Sequence, residues 1–267
     1  MLKMLKTAAL GFGLIASTAS AQGVGDALVV SLLPGWREAD GTHMAGLHLD
    51  LSPGWKTYWR SPGDAGIPPR MDFSGSENVA SVSQHWPVPE VFYQSGLRSI
   101  GYGEDFVVAL RVAPRQDSQP LVLTGRIDLG VCRDICIPVS LAFEERLPAT
   151  GQDSPSIRGA LASRMMPGTE AGVGNVLCRT VPTSDGLRLT ATVEMPSHGA
   201  DEAAVIETSD PSIWVSEPDL TRDGNTLKLT SELVSPDLAP FALDRSSLRI
   251  TVLSDGPAVD IRGCVGG

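Results

Sequence analysis

The sequence is poor in positive charge and lacks the short signatures of several common enzyme classes. Its 267 residues include 21 lysines and arginines against 31 aspartates and glutamates, so the formal net charge is −10. This balance argues against a nucleic-acid-binding protein, which needs a basic face to displace counterions from phosphates. No Ser/His/Asp triad signature, phosphate-binding glycine loop or dinucleotide-binding fingerprint is present, and the sequence implies no cofactor.

Long apolar runs are also lacking, so we expect no transmembrane segment in the mature chain, because a spanning helix needs about 18 consecutive apolar residues. The N-terminus has the three-part pattern of a secretory signal: Lys3 and Lys6, a short apolar run over 8–16, and the small residues Ala19-Ser20-Ala21. We predict a signal peptide over residues 1–21 and therefore export. A membrane anchor is the alternative, but the apolar run is short for a bilayer.

The remaining chain predicts an all-β fold. Gly 28 and Pro 20 indicate many turns, and apolar residues alternate with polar ones in short segments, as in half-buried strands. Two tandem β-sandwich domains are expected, over 22–149 and 173–267. Between them, residues 150–172 predict a linker with one short helix near 157–166, capped by Asp153 or Ser154.

Four cysteines are present: Cys132, Cys136, Cys178 and Cys264. In an exported protein this even number predicts disulfides, and four cysteines allow three pairings. The spacing favours Cys132 with Cys136 and Cys178 with Cys264. Closing the short loop constrains the unfolded chain by about 2 kcal/mol, against about 4.6 kcal/mol for the long one. The long pair therefore predicts a structural disulfide, and the short one a bond that opens at low cost.

The short pair flanks a three-residue loop between two predicted strands. The apolar stripes of these strands contain Val131 on one and Ile137 on the other, and each cysteine has the opposite parity. In a regular hairpin both sulfurs then point away from the core, side by side, where a second molecule can reach them. This placement predicts thiol–disulfide exchange at Cys132 and Cys136 as the catalytic pair.

Two other functions remain open from the residues alone. One is a non-catalytic adaptor module with two structural disulfides, which are common in exported proteins. The other is a copper-handling protein that uses the same thiols, because thiolate and imidazole ligands suit copper. The four histidines, His43, His48, His85 and His198, are scattered and show no metal-binding spacing, so no metal site is predicted.

Three segments together resemble the N-terminal periplasmic domain of the DsbD/ScsB family of thiol:disulfide interchange proteins. They are the hairpin from Gly130 to Pro138, the run 54–69, and Val91-Phe92-Tyr93 with Gly96. The resemblance covers about residues 25–147 and implies an immunoglobulin-like sandwich in the periplasm, the fold we expect for both domains.

The resemblance also implies roles for individual residues. In the family, the cysteine pair takes electrons from a membrane-embedded reductase and passes them to periplasmic thioredoxin-fold proteins, and aromatic residues cap the pair. Phe92 and Tyr93 match the cap, and Cys136 matches the cysteine that forms mixed disulfides. With Ile135, these two aromatics would form an apolar docking rim.

The chain departs from better-known members in two respects. Their cysteines are further apart, and they continue into a transmembrane domain and a thioredoxin-like domain that are not found here. A separate protein would therefore supply the electrons. The resulting hypothesis is a periplasmic thiol:disulfide oxidoreductase, of the protein-disulfide reductase type.

Overall fold

A computed structural model describes residues 27–64, 66–94, 96–117 and 119–267. The predicted signal peptide over 1–21 lies outside these ranges. Within them the chain forms twenty β-strands and one α-helix, so the all-β prediction is confirmed. No helix in the described part of the chain is long and apolar enough to cross a membrane.

The N-terminal part contains ten strands in two sheets. Four strands form one sheet in the order β1-β2-β8-β5, and the other has the order β10-β9-β3-β7-β6, with β4 paired to β9. The strands are β1 Leu28–Arg37, β2 His43–Leu51, β3 Lys56–Tyr58, β4 Arg70–Asp72, β5 Val79–His85, β6 Glu90–Gln94, β7 Leu97–Tyr102, β8 Phe106–Pro114, β9 Leu121–Cys132 and β10 Cys136–Leu147.

The core of this part follows from the alternation of apolar residues. On β9 the odd-numbered apolar residues are buried, and they belong to one cluster with inward residues of β2 and β8. Each buried Leu, Ile or Val side chain contributes about 1.5–3 kcal/mol relative to its exposed state. The stripe on β9 consists of Leu121, Leu123, Ile127, Leu129 and Val131.

The C-terminal part also contains ten strands in two sheets, ordered β11-β19-β18-β14 and β15-β17-β13-β12-β20, with β16 paired to β17. Gly224 and Asn225 form a two-residue hairpin turn, because Asp223 pairs with Thr226. The strands are β11 Met166–Pro167, β12 Val176–Pro182, β13 Gly186–Glu194, β14 Ala203–Glu207, β15 Trp214–Val215, β16 Asp219–Asp223, β17 Thr226–Val234, β18 Arg249–Leu253, β19 Val259–Arg262 and β20 Val265–Gly266; a 3-10 helix spans Arg245–Ser247.

The helix predicted between the two parts is present as α1, Pro155–Ala162. The hydroxyl of Ser154 accepts a hydrogen bond from the backbone N–H of Ile157, and Pro155 occupies the first turn, as an N-cap followed by proline predicts. Ile157 and Ala160 are buried against Met44 and Val107. The helix therefore packs on the N-terminal sheet through β2 and β8.

The two parts pack directly against each other. Met165, Ala203, Val205, Leu253 and Ala258 are buried in the same apolar cluster as the core of residues 27–147. The C-terminal sheets have a second cluster of their own, centred on β13 and β17. Contact through a shared apolar cluster fixes the position of one part on the other.

Candidate functional site

The site lies at the turn end of the β9–β10 hairpin. Cys132 ends β9, Cys136 begins β10, and the two are directly opposite in the antiparallel register. Their side chains form a disulfide, with the two Cα atoms 4.1 Å apart. Ile137 pairs with Val131 on the core face, so strand alternation places the disulfide on the outer face, as the sequence predicts.

The two cysteines differ in exposure. Cys136 is exposed, whereas Cys132 is only 2% exposed. The expectation that both sulfurs are reachable is therefore wrong for Cys132. The physical reason is the sheet order: β9 lies between β10 and β3, while β10 forms the edge of the sheet. Cys132 thus has a neighbouring side chain on each side, but Cys136 has one side open.

Tyr58 contacts both sulfur atoms. Its hydroxyl oxygen lies 3.1 Å from Cys132 Sγ and 3.1 Å from Cys136 Sγ. The side chain comes from β3, the strand next to β9, and is buried. Burial raises the pKa of Tyr58, so the phenol keeps its proton at neutral pH and remains a hydrogen-bond donor.

Two glycines allow the Tyr58 ring to lie against the hairpin. A Cβ atom placed on Gly66 would lie 3.0 Å from the ring, and one on Gly130 would lie 3.2 Å from it. The first of these positions would also clash with Pro62, at 2.2 Å. The segment that follows β3 therefore folds back over the ring and fixes its hydroxyl beside the disulfide.

The three loop residues between the cysteines face the solvent. Ile135 is 70% exposed, and its role on a docking rim stays a prediction. The guanidinium of Arg133 lies 5.0 Å from the centre of the Trp55 ring and 3.3 Å from the carboxylate of Asp134. The exposed Ile135 therefore lies at the tip of the hairpin next to one positively and one negatively charged residue, Arg133 and Asp134.

A lysine links the hairpin of β6 and β7 to the strand beside Cys132. Lys56 is directly opposite Cys132 in the sheet register. Its ammonium donates to Gln94 Oε1 at 2.9 Å and lies 5.3 Å from the centre of the Phe92 ring. The half-buried Phe92 is thus connected to the site through Lys56, in a cation–π geometry.

The two aromatics that match the family cap lie on opposite faces of β6. Phe92 pairs with Ser99 and Tyr93 pairs with Arg98, so only Phe92 shares a face with the disulfide. Tyr93 is 73% exposed. Neither ring lines the cleft beside the disulfide, which has a volume of about 230 Å³. Its lining residues are Lys56, Tyr58, Gln94, Leu97, Ser99 and the segment Cys132–Cys136.

The second pair of cysteines forms a disulfide in the C-terminal part. Cys178 Sγ and Cys264 Sγ are 2.02 Å apart. Cys178 lies on β12 and is fully buried in the C-terminal core, where Cys264 packs against it. Cys264 directly precedes β20, which pairs in parallel with β12. This disulfide links β12 to the start of β20, two strands that are adjacent in the sheet but distant in the sequence.

His43 and His198 contact backbone carbonyls and not the cysteines. His43 is buried and its Nε2 contacts the carbonyl of Pro34 at 2.5 Å, while His198 Nε2 contacts the carbonyl of Ala171. Over the described residues, no group of three or more His, Cys, Asp or Glu side chains is arranged to hold a metal ion.

Lys56 and the strands β6 and β7 are the parts of the site that the sequence did not predict. Parity carries a signal for Lys56. Lys56, Tyr58 and Arg60 alternate with Trp55, Thr57 and Trp59, and the second set is apolar enough to mark the core face. The first set then belongs to the outer face, with the cysteines.

The chain is similar to known proteins in sequence and in fold. Residues 29–148 match the family described as thiol:disulfide interchange protein DsbD, N-terminal. The crystal structure of the N-terminal periplasmic domain of ScsB from Proteus mirabilis is similar over 90% of this chain and 92% of that one, with 21% identity and a TM-score of 0.60. No curated protein matches. The resemblance predicted from the sequence is therefore confirmed.

Proposed function

We propose that this protein exchanges thiols and disulfides with other proteins through Cys132 and Cys136. The observation that carries this proposal is the unequal burial of a disulfide on the outer face of the hairpin. Cys136 is exposed and Cys132 is buried. An incoming thiolate therefore meets Cys136 Sγ first, and Cys132 is the leaving group. A family match over residues 29–148 supports the same chemistry.

The exchange proceeds in two substitutions. A partner thiolate attacks Cys136 Sγ, the Cys132–Cys136 bond breaks, and Cys132 leaves as a thiolate. The partner's second thiolate then attacks the mixed disulfide, so that the partner becomes oxidised and the pair is left as two thiols. Two electrons and two protons have then moved to this protein. The reverse sequence passes them to a downstream disulfide.

Tyr58 is placed to assist the first substitution. Its hydroxyl is already within 3.1 Å of the sulfur that becomes negatively charged. A buried thiolate is costly without a hydrogen-bond donor, and the protonated phenol supplies one. Because Tyr58 contacts both sulfurs, the same hydroxyl can donate a hydrogen bond to whichever sulfur carries the negative charge, in either direction of exchange.

The partners follow from the resemblance. A membrane-embedded reductase would reduce the pair, and the reduced pair would then reduce periplasmic thioredoxin-fold proteins. The exposed Ile135 at the hairpin tip and Leu97 at the cleft offer apolar contacts for docking, and Phe92 and Tyr93 lie on the neighbouring strand. Export by the predicted signal peptide would place the protein in the periplasm.

The fold would then consist of two immunoglobulin-like sandwiches. The redox site belongs to residues 22–149, residues 150–172 connect the two, and residues 173–267 form the second. Two sheets and an apolar cluster in each part support this division.

A redox titration tests the function. The oxidised protein is equilibrated with dithiothreitol or glutathione buffers, and free thiols and circular dichroism are followed together. Exchange predicts that two thiols appear reversibly while the fold persists. An adaptor with structural disulfides predicts that none appears before unfolding, which would overturn the proposal. Copper handling predicts stoichiometric Cu(I) binding that is lost in Cys132→Ser.

A trapping experiment tests the assignment of the attacked sulfur. Cys132→Ser leaves Cys136 free. We expect its thiolate to displace thionitrobenzoate from a thioredoxin-fold protein whose single remaining active-site cysteine carries that group as a mixed disulfide, which gives a stable disulfide between the two proteins. Cys136→Ser is the matched control, because its remaining thiol is buried. Equal trapping by the two variants would contradict the assignment.

A further inference from the structure

β7 contacts the redox cleft with one face and the C-terminal part with the other. Leu97 and Ser99 line the cleft beside the disulfide. Arg98, between them, is 9% exposed and its guanidinium donates to the backbone carbonyl of Ala204 at 3.2 Å. Since side chains alternate along a strand, the two contacts lie on opposite faces of one short segment.

An ion pair strengthens the contact on the second face. Arg98 Nε lies 3.0 Å from Glu217 Oε1, and the side chain of Arg98 is 6% exposed against 44% for Glu217. A buried guanidinium without its carboxylate is strongly unfavourable. The position of Arg98, and with it the cleft-lining Leu97 and Ser99, therefore depends on a carboxylate that lies between β15 and β16.

A second ion pair anchors the segment that follows Tyr58. Arg60 binds Glu207 with two hydrogen bonds, at 2.9 and 2.8 Å. The Arg60 guanidinium stacks 3.8 Å from the centre of the Trp59 ring. The backbone N–H of Trp59 in turn donates to Ile100 on β7. β7 and the segment that follows β3 are thus both held by carboxylates of the C-terminal part.

We infer that the C-terminal part controls access to the disulfide by holding β7 in place, with Arg98 and Glu217 as positioning residues. This inference rests on the proposed function of the cysteine pair. When the ion pair is intact, β7 is held as a wall of the cleft and narrows the approach to the disulfide, of which only Cys136 is exposed. When it is broken, the hairpin opens more often, because local opening depends on the few contacts that hold a segment.

Glu217→Gln tests the inference, since it removes the charge of an exposed partner and leaves the shape of the side chain. We expect dithiothreitol to reduce the Cys132–Cys136 disulfide about three- to tenfold faster in this variant. Amide hydrogen exchange should accelerate over residues 90–102. Glu217→Asp keeps the charge and should restore most of the wild-type rate.

Glu232→Gln is the matched control. It makes the same chemical change in an exposed ion pair with Arg188, on the C-terminal sheet strands β13 and β17. We expect wild-type rates of reduction and of exchange over 90–102 in this variant. Arg98→Met should accelerate reduction as Glu217→Gln does, and if it does not fold, the glutamate variants decide the question.

The two proposals fail in distinguishable ways. If dithiothreitol does not open the wild-type disulfide in the folded protein, the proposed function is wrong. If the wild-type disulfide opens reversibly but Glu217→Gln is reduced at the wild-type rate or more slowly, the control by the C-terminal part is wrong. Faster reduction in Glu217→Gln together with equally faster reduction in Glu232→Gln would also overturn it, because the effect would then be nonspecific.

Discussion

Cys132 and Cys136 face each other across the β9–β10 ladder, yet only Cys136 reaches the surface. The difference arises from their strands: β9 is interior and β10 is at the edge of the sheet. The disulfide therefore contains one exposed sulfur that a thiolate can attack, Cys136 Sγ, and one buried sulfur that becomes the leaving group, Cys132 Sγ. Under the proposed function, this asymmetry fixes which bond the partner forms.

The asymmetry predicts unequal alkylation in the reduced protein. We expect iodoacetamide to modify Cys136 at least about tenfold faster than Cys132, because a thiol reacts only where the reagent reaches its thiolate. Peptide mass spectrometry at early times measures the two rates, and the single serine variants calibrate them. Comparable rates at both positions would show that burial of Cys132 does not persist after reduction.

Removal of the phenol should slow exchange. In Tyr58→Phe we expect the second-order rate of attack by dithiothreitol to fall about tenfold, since one hydrogen bond to a charged group is lost. The pKa of the Cys132 thiol in the reduced variant should rise, because the thiolate loses a hydrogen-bond donor. Stopped-flow kinetics as a function of pH measures both effects.

Tyr102→Phe is the control for that variant. Tyr102 is also buried and loses a hydrogen bond, to the carbonyl of Pro87 at 2.9 Å, but this bond does not involve the sulfurs. We expect a wild-type rate of exchange there. A Tyr58→Phe variant with an unchanged rate and pH profile would show that the phenol only fills space.

Strand alternation allowed the core stripe of β9 and the outer face of the disulfide to be predicted from sequence. It did not reveal the burial of Cys132, because the alternation of one strand carries no information about its neighbours. That burial depends on β3 lying beside β9, a contact between residues distant in the chain. Sheet order of this kind is a long-range property.

The β6–β7 hairpin was missed for a related reason. Its strands are short, and Arg98 interrupts the apolar pattern of β7. The arginine is buried because Glu217 and Ala204 of the C-terminal part receive it. A charged residue in a strand normally indicates an exposed position. Arg98 is buried instead because the C-terminal part packs against it.

His43 predicts a loss of stability in mild acid. Burial lowers the pKa of His43 below its ordinary value of 6.5, although the contact with Pro34 opposes the shift. The folded protein thus binds fewer protons at this site than the unfolded chain, so stability is unaffected well above pH 6.5 and falls as the pH drops through it. Denaturant unfolding between pH 7.5 and about pH 5 measures the slope, which for one proton approaches about 1.4 kcal/mol per pH unit.

His43→Gln separates this histidine from the carboxylates that titrate at lower pH. Glutamine keeps an N–H donor for the carbonyl of Pro34 but does not ionise near neutral pH. We expect the free energy of unfolding of this variant to depend less steeply on pH between about pH 6.5 and pH 5 than that of the wild-type protein. An unchanged slope would mean that His43 binds its proton equally well in the folded and unfolded states.

The two disulfides should differ sharply in their contribution to stability. Cys178 and Cys264 are 86 positions apart in the sequence, against 4 for Cys132 and Cys136, and the constraint on the unfolded chain grows with loop length. We expect Cys178→Ala with Cys264→Ala to lower the free energy of unfolding by about 4 kcal/mol. The cavity left by the fully buried Cys178 side chain adds to this loss.

Cys132→Ala with Cys136→Ala is the matched double variant. The disulfide removed in this variant closes only a short loop. We therefore expect the free energy of unfolding, measured with urea, to fall by about 2 kcal/mol or less. The ordering matters for function, since a pair that changes redox state during exchange must leave the fold intact in both states. If the hairpin pair proved the more stabilising of the two, its reduction would remove more stability than loss of the long-loop disulfide, which contradicts a site that opens at low cost.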